Sequence, residues 1–171
     1  MARAWTFGDN ISTDDIISGR YLSRFESTHD PSCLAPHVME NIDPEFSSKV
    51  KRGDVVVAGR NFGCGSSREE APIALKAASV SAVVAESFAR IFYRNSINQG
   101  LPVITCPGVK GGFKSGDGVE VDIKGGTVRN VATDKVFKAG PFPDFVLSIL
   151  NAGGLIPYLK KKGVSPSQRG R

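Results

Sequence analysis

Asn61-Phe62-Gly63-Cys64-Gly65-Ser66-Ser67-Arg68-Glu69-Glu70 is the stretch that decides the fold of this chain. It follows a short apolar run at 54–59 and precedes a helical run at 71–78. The sequence therefore predicts a buried strand, a glycine-rich turn and the start of a helix. Open α/β sheets bind ligands where a strand ends and a helix begins, and the outward N–H groups there favour anions. We therefore expect an anion-binding site in this turn.

The two serines of the turn have two possible roles. Ser66 with Glu69, and Ser67 with Glu70, both fit the spacing of a helix capping box, and such a cap contributes about 1 kcal/mol. Alternatively, the hydroxyls face a ligand. Arg68 favours a ligand, because a cation in the first helical turn opposes the helix dipole at a cost of roughly 0.3–1 kcal/mol. A guanidinium placed there suits an incoming carboxylate, which it binds through two hydrogen bonds.

The regular elements around this turn indicate an α/β fold. Apolar runs predict strands at 55–58, 80–85 and 101–105, with helices at 69–79 and 87–99 between them. This alternation implies right-handed crossovers and a central parallel sheet with flanking helices. Glycine pairs between short alternating runs then predict a small antiparallel section over 119–138, followed by a last helix at 143–151.

An acidic pair near the start of the chain, Asp14 and Asp15, has two interpretations. Ser12 or Thr13 is suited to cap a short helical turn, where acidic residues are favourable. Alternatively, the pair positions a loop of the site. The sequence leaves both open.

Cysteines and histidines give little sign of a metal site on this chain. Cys33, Cys64 and Cys106 are widely spaced and contain no C-x-x-C pair, which argues against both a disulfide framework and a zinc site. Cys64 as a nucleophile is a minor alternative, because no histidine lies near it in sequence. His29 and His37 lie in a polar stretch and are interpreted as solvated loop residues. We expect no metal on this chain.

Composition limits the possible classes of protein. The length of 171 residues suits a single domain, and 40% apolar with 23% charged residues is typical of a globular protein. No apolar run approaches the roughly 20 residues of a membrane helix, and no signal-peptide pattern opens the sequence. We expect a cytoplasmic protein that does not bind a membrane.

The positive charge is concentrated in one place. The net charge is +5, and five of the 22 basic residues lie from residue 160 onward, so the other 17 balance the 17 acidic ones. We expect a basic, disordered tail over about 160–171. Basic residues interleaved with aromatic ones on a folded face, as nucleic-acid binding needs, are not seen. We expect no nucleic-acid partner.

Four ordered blocks carry a resemblance to a known family. Gly63-Cys64-Gly65-Ser66-Ser67-Arg68-Glu69 resembles the signature of the swivelling domain of the aconitase superfamily. The blocks at 86–92 with 95–102, at 9–17 and at 153–158 resemble the same domain. Length and ends are similar to the free-standing small subunits of 3-isopropylmalate dehydratase, a leucine-biosynthesis enzyme, and of its relative homoaconitase.

The resemblance implies a β/β/α swivelling domain and a division of labour. A large catalytic subunit would carry a four-iron four-sulfur cluster that binds the hydroxyl and carboxylate of a di- or tricarboxylic acid. In this chain, Ser66 would be the catalytic base, as an alkoxide, while Ser67 and Arg68 would hold carboxylate oxygens. No cofactor is expected on this chain, because its three cysteines lack the spacing and number of a usual cluster ligand set.

The resemblance assigns substrate choice to a loop, Tyr21-Leu22-Ser23-Arg24-Phe25, which we expect to be mobile. Leu22 and Phe25 would line an isopropyl pocket, whereas Arg24 would suit a further carboxylate, and Tyr21 would also contact the substrate. We favour 3-isopropylmalate, with the homoaconitase substrates as the alternative. A rival from another class is a non-catalytic, carboxylate-binding regulatory module.

Overall fold

The structure, a computed structural model, describes residues 1–164. Its strands are β1 (Ala4–Thr6), β2 (Val55–Ala58), β3 (Ala82–Ala85), β4 (Val103–Thr105), β5 (Val119–Asp122), β6 (Thr127–Asn130) and β7 (Lys135–Lys138). Its α-helices are α1 (Thr13–Ile16), α2 (Leu22–Thr28), α3 (Phe46–Lys49), α4 (Glu70–Ala77), α5 (Arg90–Asn98), α6 (Asp144–Asn151) and α7 (Leu155–Lys161). Short 3₁₀ turns occupy Gly19–Tyr21, Pro31–Cys33, Ala35–His37 and Lys110–Gly112.

The central sheet is parallel, with the strand order β1-β2-β3-β4. Every residue of β2 and β3 is buried, which explains why their sequences are continuous apolar runs. The helices α4 and α5 provide the crossovers and contact each other. Because the strands follow chain order across the sheet, right-handed crossovers place both helices on the same face. Because all four strands are parallel, their carboxyl ends lie at the same edge of the sheet.

A second sheet is antiparallel, with the order β5-β6-β7. A bridge between Arg3 and Gly118 and a hydrogen bond from the Val119 N–H to the Ala2 carbonyl (3.0 Å) connect it to β1. The predicted α/β class, with a parallel sheet, flanking helices and a small antiparallel section, is confirmed.

Asp54 fixes β1 at the edge of the parallel sheet. Its side chain is 2% exposed and accepts hydrogen bonds from the Arg3 N–H and guanidinium (both 3.0 Å), from Trp5 Nε1 (2.9 Å) and from the Lys51 N–H (3.0 Å). Burial acts to raise the pKa of this carboxyl, but its donors outweigh burial and the pKa is lowered. The buried charge is thus fully paired, and the pairing holds β1 beside β2 so that both strands lead to the same edge.

Part of the segment expected to be a disordered basic tail is helical. Lys160 and Lys161 lie in the last turn of α7, and the rest of the expected tail, from residue 165 onward, lies outside the described part. Among residues 1–164, no helix is long and apolar enough to cross a membrane.

Candidate functional site

The glycine-rich turn after β2 is hydrogen-bonded to the segment that follows β1. The Gly63 N–H donates to the Ile11 carbonyl at 2.7 Å, and the Thr13 N–H donates to the Cys64 carbonyl at 2.8 Å. The Thr13 side chain, which is 1% exposed, donates from Oγ1 to the Ser66 carbonyl at 3.1 Å. The start of α1 therefore holds the serine-bearing part of the turn in place.

The other side of the turn is hydrogen-bonded to the segment after β3. The Phe62 N–H donates to the Ser87 carbonyl at 3.0 Å, and the Ala89 N–H donates to the Phe62 carbonyl at 2.9 Å. Gly63 has a φ of +78°, and a Cβ on it would lie 2.1 Å from Cγ of Phe92. Only glycine permits both this backbone conformation and this contact. Phe92 thus packs against the turn at Gly63, and hydrogen bonds connect the turn to the segments after β1 and β3.

The predicted serine caps are wrong. The helix α4 begins at Glu70, and its N-cap residue is Glu69, which makes no side-chain capping hydrogen bond. Ser66 lies four residues before the helix, because the Arg68 N–H turns back to the Ser66 carbonyl at 2.8 Å. The local capping pattern is present in the sequence, but the hydrogen bonds from Thr13 hold Ser66 away from the helix end.

The serines instead present unused hydrogen-bonding groups to solvent. Ser66 and Ser67 are both exposed. Within residues 1–164, neither hydroxyl has a hydrogen-bond partner, and the backbone N–H groups of Gly65, Ser66 and Ser67 donate to no protein acceptor. Two hydroxyls and three N–H groups close together form a cradle suited to carboxylate oxygens. The predicted anion site therefore has its donors available.

Arg68 lies just before α4 rather than in its first turn. Its Nη1 donates to Asp14 Oδ1 at 2.5 Å and to the Ile17 carbonyl at 3.2 Å. Its side chain is 21% exposed. The cation is therefore stabilised by Asp14, and the prediction that Arg68 lies in the first turn of the helix is wrong. Only Nη1 is bound, and the Nε and Nη2 N–H groups of Arg68 have no partner within the described residues.

The capping interpretation of the acidic pair is confirmed by Asp15, while Asp14 contacts the candidate site. Ser12 caps α1 and forms a capping box with Asp15, while Asp14 binds Arg68. In the sequence, the acidic pair marked Asp14 as a candidate residue. Its partner, Arg68, lies 54 residues away and could not be identified from spacing.

Asp14→Asn is expected to weaken carboxylate binding in this turn, because the neutral amide holds the Arg68 guanidinium less firmly. Charge-assisted hydrogen bonds contribute about 1.5–3 kcal/mol, so in the two-subunit enzyme that the sequence resemblance implies we expect KM to rise about tenfold with a smaller change in kcat. Asp134→Asn is the control, since Asp134 pairs with Arg129 on an exposed surface. Steady-state kinetics of both variants would test this, and an unchanged KM for Asp14→Asn would contradict it.

The segment predicted as a mobile recognition loop is helical. Tyr21 ends a 3₁₀ turn, and Leu22, Arg24 and Phe25 lie on α2. Leu22 and Phe25 are half-buried and pack against the core, while Arg24 is exposed with no side-chain partner among residues 1–164. The Tyr21 hydroxyl donates to Glu40 Oε1 at 2.6 Å, so its proton is not available to a substrate. Gly19, at the start of this turn, lies beside Arg68, where a Cβ built on it would be 3.2 Å from Nη2.

The chemistry of the cysteines does not fit an iron–sulfur cluster on this chain. Cys106 is buried, and burial raises the pKa of its thiol to about 11, whereas a cluster ligand must be a thiolate. The Cys64 thiol donates to the Asn10 carbonyl at 3.5 Å. In the described residues, no group of three His, Cys, Asp or Glu side chains is arranged to hold a metal ion.

His37 is not a solvated loop residue, because its ring stacks on Tyr21.

Comparison with known proteins agrees with this geometry. Residues 10–107 match the family model described as the aconitase C-terminal domain. The chain is 60% identical to the 3-isopropylmalate dehydratase small subunit 1 of Methanopyrus kandleri, over 94% of this chain and 92% of that protein. It is 54% identical to the methanogen homoaconitase small subunit of Methanothermobacter thermautotrophicus, over 93% and 89%.

A solved structure gives the same result. The crystal structure of 3-isopropylmalate dehydratase from Methanocaldococcus jannaschii superimposes with a TM-score of 0.87 at 48% identity. The match covers 99% of this chain and 98% of that one. The chain therefore belongs to the aconitase C-terminal domain family, among the small subunits of 3-isopropylmalate dehydratases and their homoaconitase relatives.

Proposed function

We propose that this chain is the small subunit of a heteromeric iron–sulfur hydro-lyase, a 3-isopropylmalate dehydratase that interconverts 2- and 3-isopropylmalate by removing and returning water. The observation that carries the proposal is the cradle of Gly65, Ser66 and Ser67 beside a fixed arginine. Homoaconitase is the alternative activity.

Each group of the cradle has a role in this proposal. Ser66 Oγ takes the proton from the carbon next to a substrate carboxylate as the hydroxyl leaves the adjacent carbon. When water returns, its hydroxyl adds to the carbon that lost the proton, and Ser66 gives a proton to the carbon that lost the hydroxyl. The carboxylate oxygens are held by Ser67, by the free backbone N–H groups, and by the Nε and Nη2 groups of Arg68. These contacts fix the reacting carbon in front of Ser66. Neither hydroxyl has a hydrogen-bond partner among residues 1–164, and this favours these roles.

Ser66 needs strong positive potential, and the pairing of Arg68 with Asp14 limits what residues 1–164 supply. A serine hydroxyl is a very weak acid, and its ionised form needs strong electrostatic stabilisation. The charge of Arg68 is matched by Asp14 at 2.5 Å, so the pair contributes little net charge. We therefore propose that a large subunit carries the cluster, closes over the exposed serines and supplies this potential. A cluster of this kind acts as a Lewis acid toward the leaving hydroxyl.

Substrate choice is proposed to depend on α2. Leu22 and Phe25 keep part of their apolar surface available and suit an isopropyl group. Arg24 is exposed on the same helix, without an internal ion partner in the described residues, and suits the extra carboxylate of a homoaconitase substrate. The first two side chains favour 3-isopropylmalate, and Arg24 is the reason for keeping the alternative.

Reconstitution with a 3-isopropylmalate dehydratase large subunit tests the proposal. The chain alone should be colourless and inactive, and the complex should convert 3-isopropylmalate faster than homoaconitate or citrate. Faster conversion of homoaconitate would identify the alternative activity. Turnover by the chain without a partner would contradict the division of labour. Binding of the acids by the chain, with no complex formed, would favour a non-catalytic carboxylate-binding module.

A further inference from the structure

Glu40 lies at the centre of a cluster that holds the turn before α2. The Tyr21 hydroxyl donates to its Oε1 at 2.6 Å, and the Arg20 guanidinium donates to the same oxygen. His37 Nδ1 lies 3.1 Å from Oε2. The Tyr21 and His37 rings stack with centroids 3.7 Å apart and planes 7° from parallel. One carboxylate thus binds the side chains of Arg20 and Tyr21 and also the side chain of His37, which faces them.

The carboxylate of Glu40 stays ionised in this cluster. Its side chain is 20% exposed. Burial acts to raise its pKa, but the hydrogen bonds from Tyr21, Arg20 and His37 outweigh burial and lower the pKa to about 2. At neutral pH, Glu40 is therefore a permanent acceptor for the groups around it.

The same turn also lies beside Arg68, the arginine proposed to bind a carboxylate. A Cβ built on Gly19 would lie 3.2 Å from Nη2 of Arg68, a distance tighter than most real Cβ contacts. The turn Gly19–Tyr21 is therefore held between Glu40 and Arg68, and any shift of the turn changes its spacing from the guanidinium.

We infer that Glu40 is a positioning residue for substrate selection, which anchors the Gly19–Tyr21 turn and thereby sets the distance between α2 and Arg68. The inference rests on the proposed function. Arg68 holds a carboxylate that all candidate substrates share, whereas α2 faces the part that differs between them. The spacing between the two decides how large a variable group fits, although neither Glu40 nor the Tyr21 hydroxyl touches the substrate.

This role predicts a different result from that of a general structural anchor. A general anchor affects the folded fraction, so its loss lowers activity on every acid by the same factor. A positioning residue changes the fit of the variable group, so its loss changes the ratio between two acids. The effect also falls on KM more than on kcat, because the distance from Ser66 to the common carboxylate is kept by Arg68.

The test uses three variants in the assembled enzyme, assayed on 3-isopropylmalate and on homoaconitate. Tyr21→Phe removes one hydroxyl without changing the ring stacking. Glu40→Ala removes the whole anchor, and Glu40→Gln keeps an acceptor oxygen but loses the charge. Glu45→Ala is the matched control, because Glu45 forms an exposed ion pair with Lys49 on α3. Thermal unfolding and complex formation are measured for each variant.

We expect Glu40→Ala to raise the KM for the preferred acid about tenfold, with kcat changed less than about threefold, and to reduce the preference between the acids by about fivefold or more. Tyr21→Phe should show a smaller effect of the same kind, and Glu40→Gln an intermediate one. Glu45→Ala should leave the ratio unchanged.

Two results would overturn the inference. One is an unchanged substrate ratio in an assembled Glu40→Ala enzyme, or in Tyr21→Phe if Glu40→Ala does not fold. The other is a loss confined to kcat. Both are distinct from failure of the proposed function, in which the complex with the unaltered chain converts neither acid.

Discussion

Ser66→Ala in the assembled enzyme is expected to lower kcat by about a thousandfold or more, because the change removes the oxygen that accepts the substrate proton. General acid–base groups contribute about 10²–10⁴-fold to rate. The KM should change little, since Ser67, the backbone N–H groups and Arg68 still bind the carboxylate. Steady-state kinetics with saturating large subunit would measure both constants.

The fold should not be affected by this substitution. Ser66 is exposed, and its hydroxyl has no partner within residues 1–164, so its loss should change the free energy of unfolding by less than about 0.5 kcal/mol. Ser67→Ala is expected instead to raise KM. Ser48→Ala, which removes an exposed hydroxyl on α3, is the control for serine loss. Turnover of Ser66→Ala within a few-fold of the unaltered enzyme would remove Ser66 from the role of base.

The core of the fold could be predicted because its signal is local. The valine runs of β2 and β3 are buried on both faces of the sheet, and a continuous apolar run is the sequence pattern typical of such strands. The position of β1 could not be predicted in the same way. Ala4 pairs with Val55, and the choice depends on the buried carboxylate of Asp54, whose donors on β1 and next to it, Trp5 and Arg3, lie 49 and 51 residues away.

The sequence predicted a site in the glycine-rich turn, but not the detailed conformation of that turn. The capping pattern of Ser66 and Glu69 is satisfied in the sequence and absent in the structure, because hydrogen bonds from Thr13 hold the turn away from α4. Arg68 was correctly identified as unusual, but its partner Asp14 could not be known from spacing. These details depend on which loops meet at the edge of the sheet, and local pattern does not contain that information.

The helical conformation of α2 also depends on contacts distant in sequence. The segment from Tyr21 to Phe25 mixes aromatic and cationic residues without a helical period, so the sequence predicted a loop. In the structure, Glu40 holds its first residue, and Leu22 and Phe25 pack against the core. These contacts stabilise a helix that its own sequence does not encode strongly.

Gly63→Ala is expected to destabilise the chain strongly, since the new methyl group would meet Phe92 at 2.1 Å. Phe92 is 1% exposed and packs edge-to-face on Phe62 with centroids 5.3 Å apart, so it has little room to move. The change also places a side chain at a φ of +78°, which costs about 1–2 kcal/mol by itself. Overpacking a core adds about 1–3 kcal/mol.

Gly108→Ala separates these two costs. Gly108 has a φ of +75°, and a Cβ on it would meet nothing within 4 Å. Both variants therefore carry the backbone cost, and only Gly63→Ala carries the contact with Phe92. We expect Gly63→Ala to lose at least about 2 kcal/mol more in the free energy of unfolding, a further fall in Tm of roughly 4–8 °C for a chain of this size.

Denaturant unfolding of the two full-length variants would measure this difference. Equal losses would mean that backbone conformation alone requires glycine at this position. A larger loss for Gly63→Ala would mean that the close contact with Phe92 is the reason, because the two glycines have nearly the same φ. The contact would then explain how the turn can leave the hydroxyls of Ser66 and Ser67 unpaired: its position is fixed by packing beneath Gly63 and by hydrogen bonds from Thr13, so the serines need make no structural bonds and remain free for a substrate.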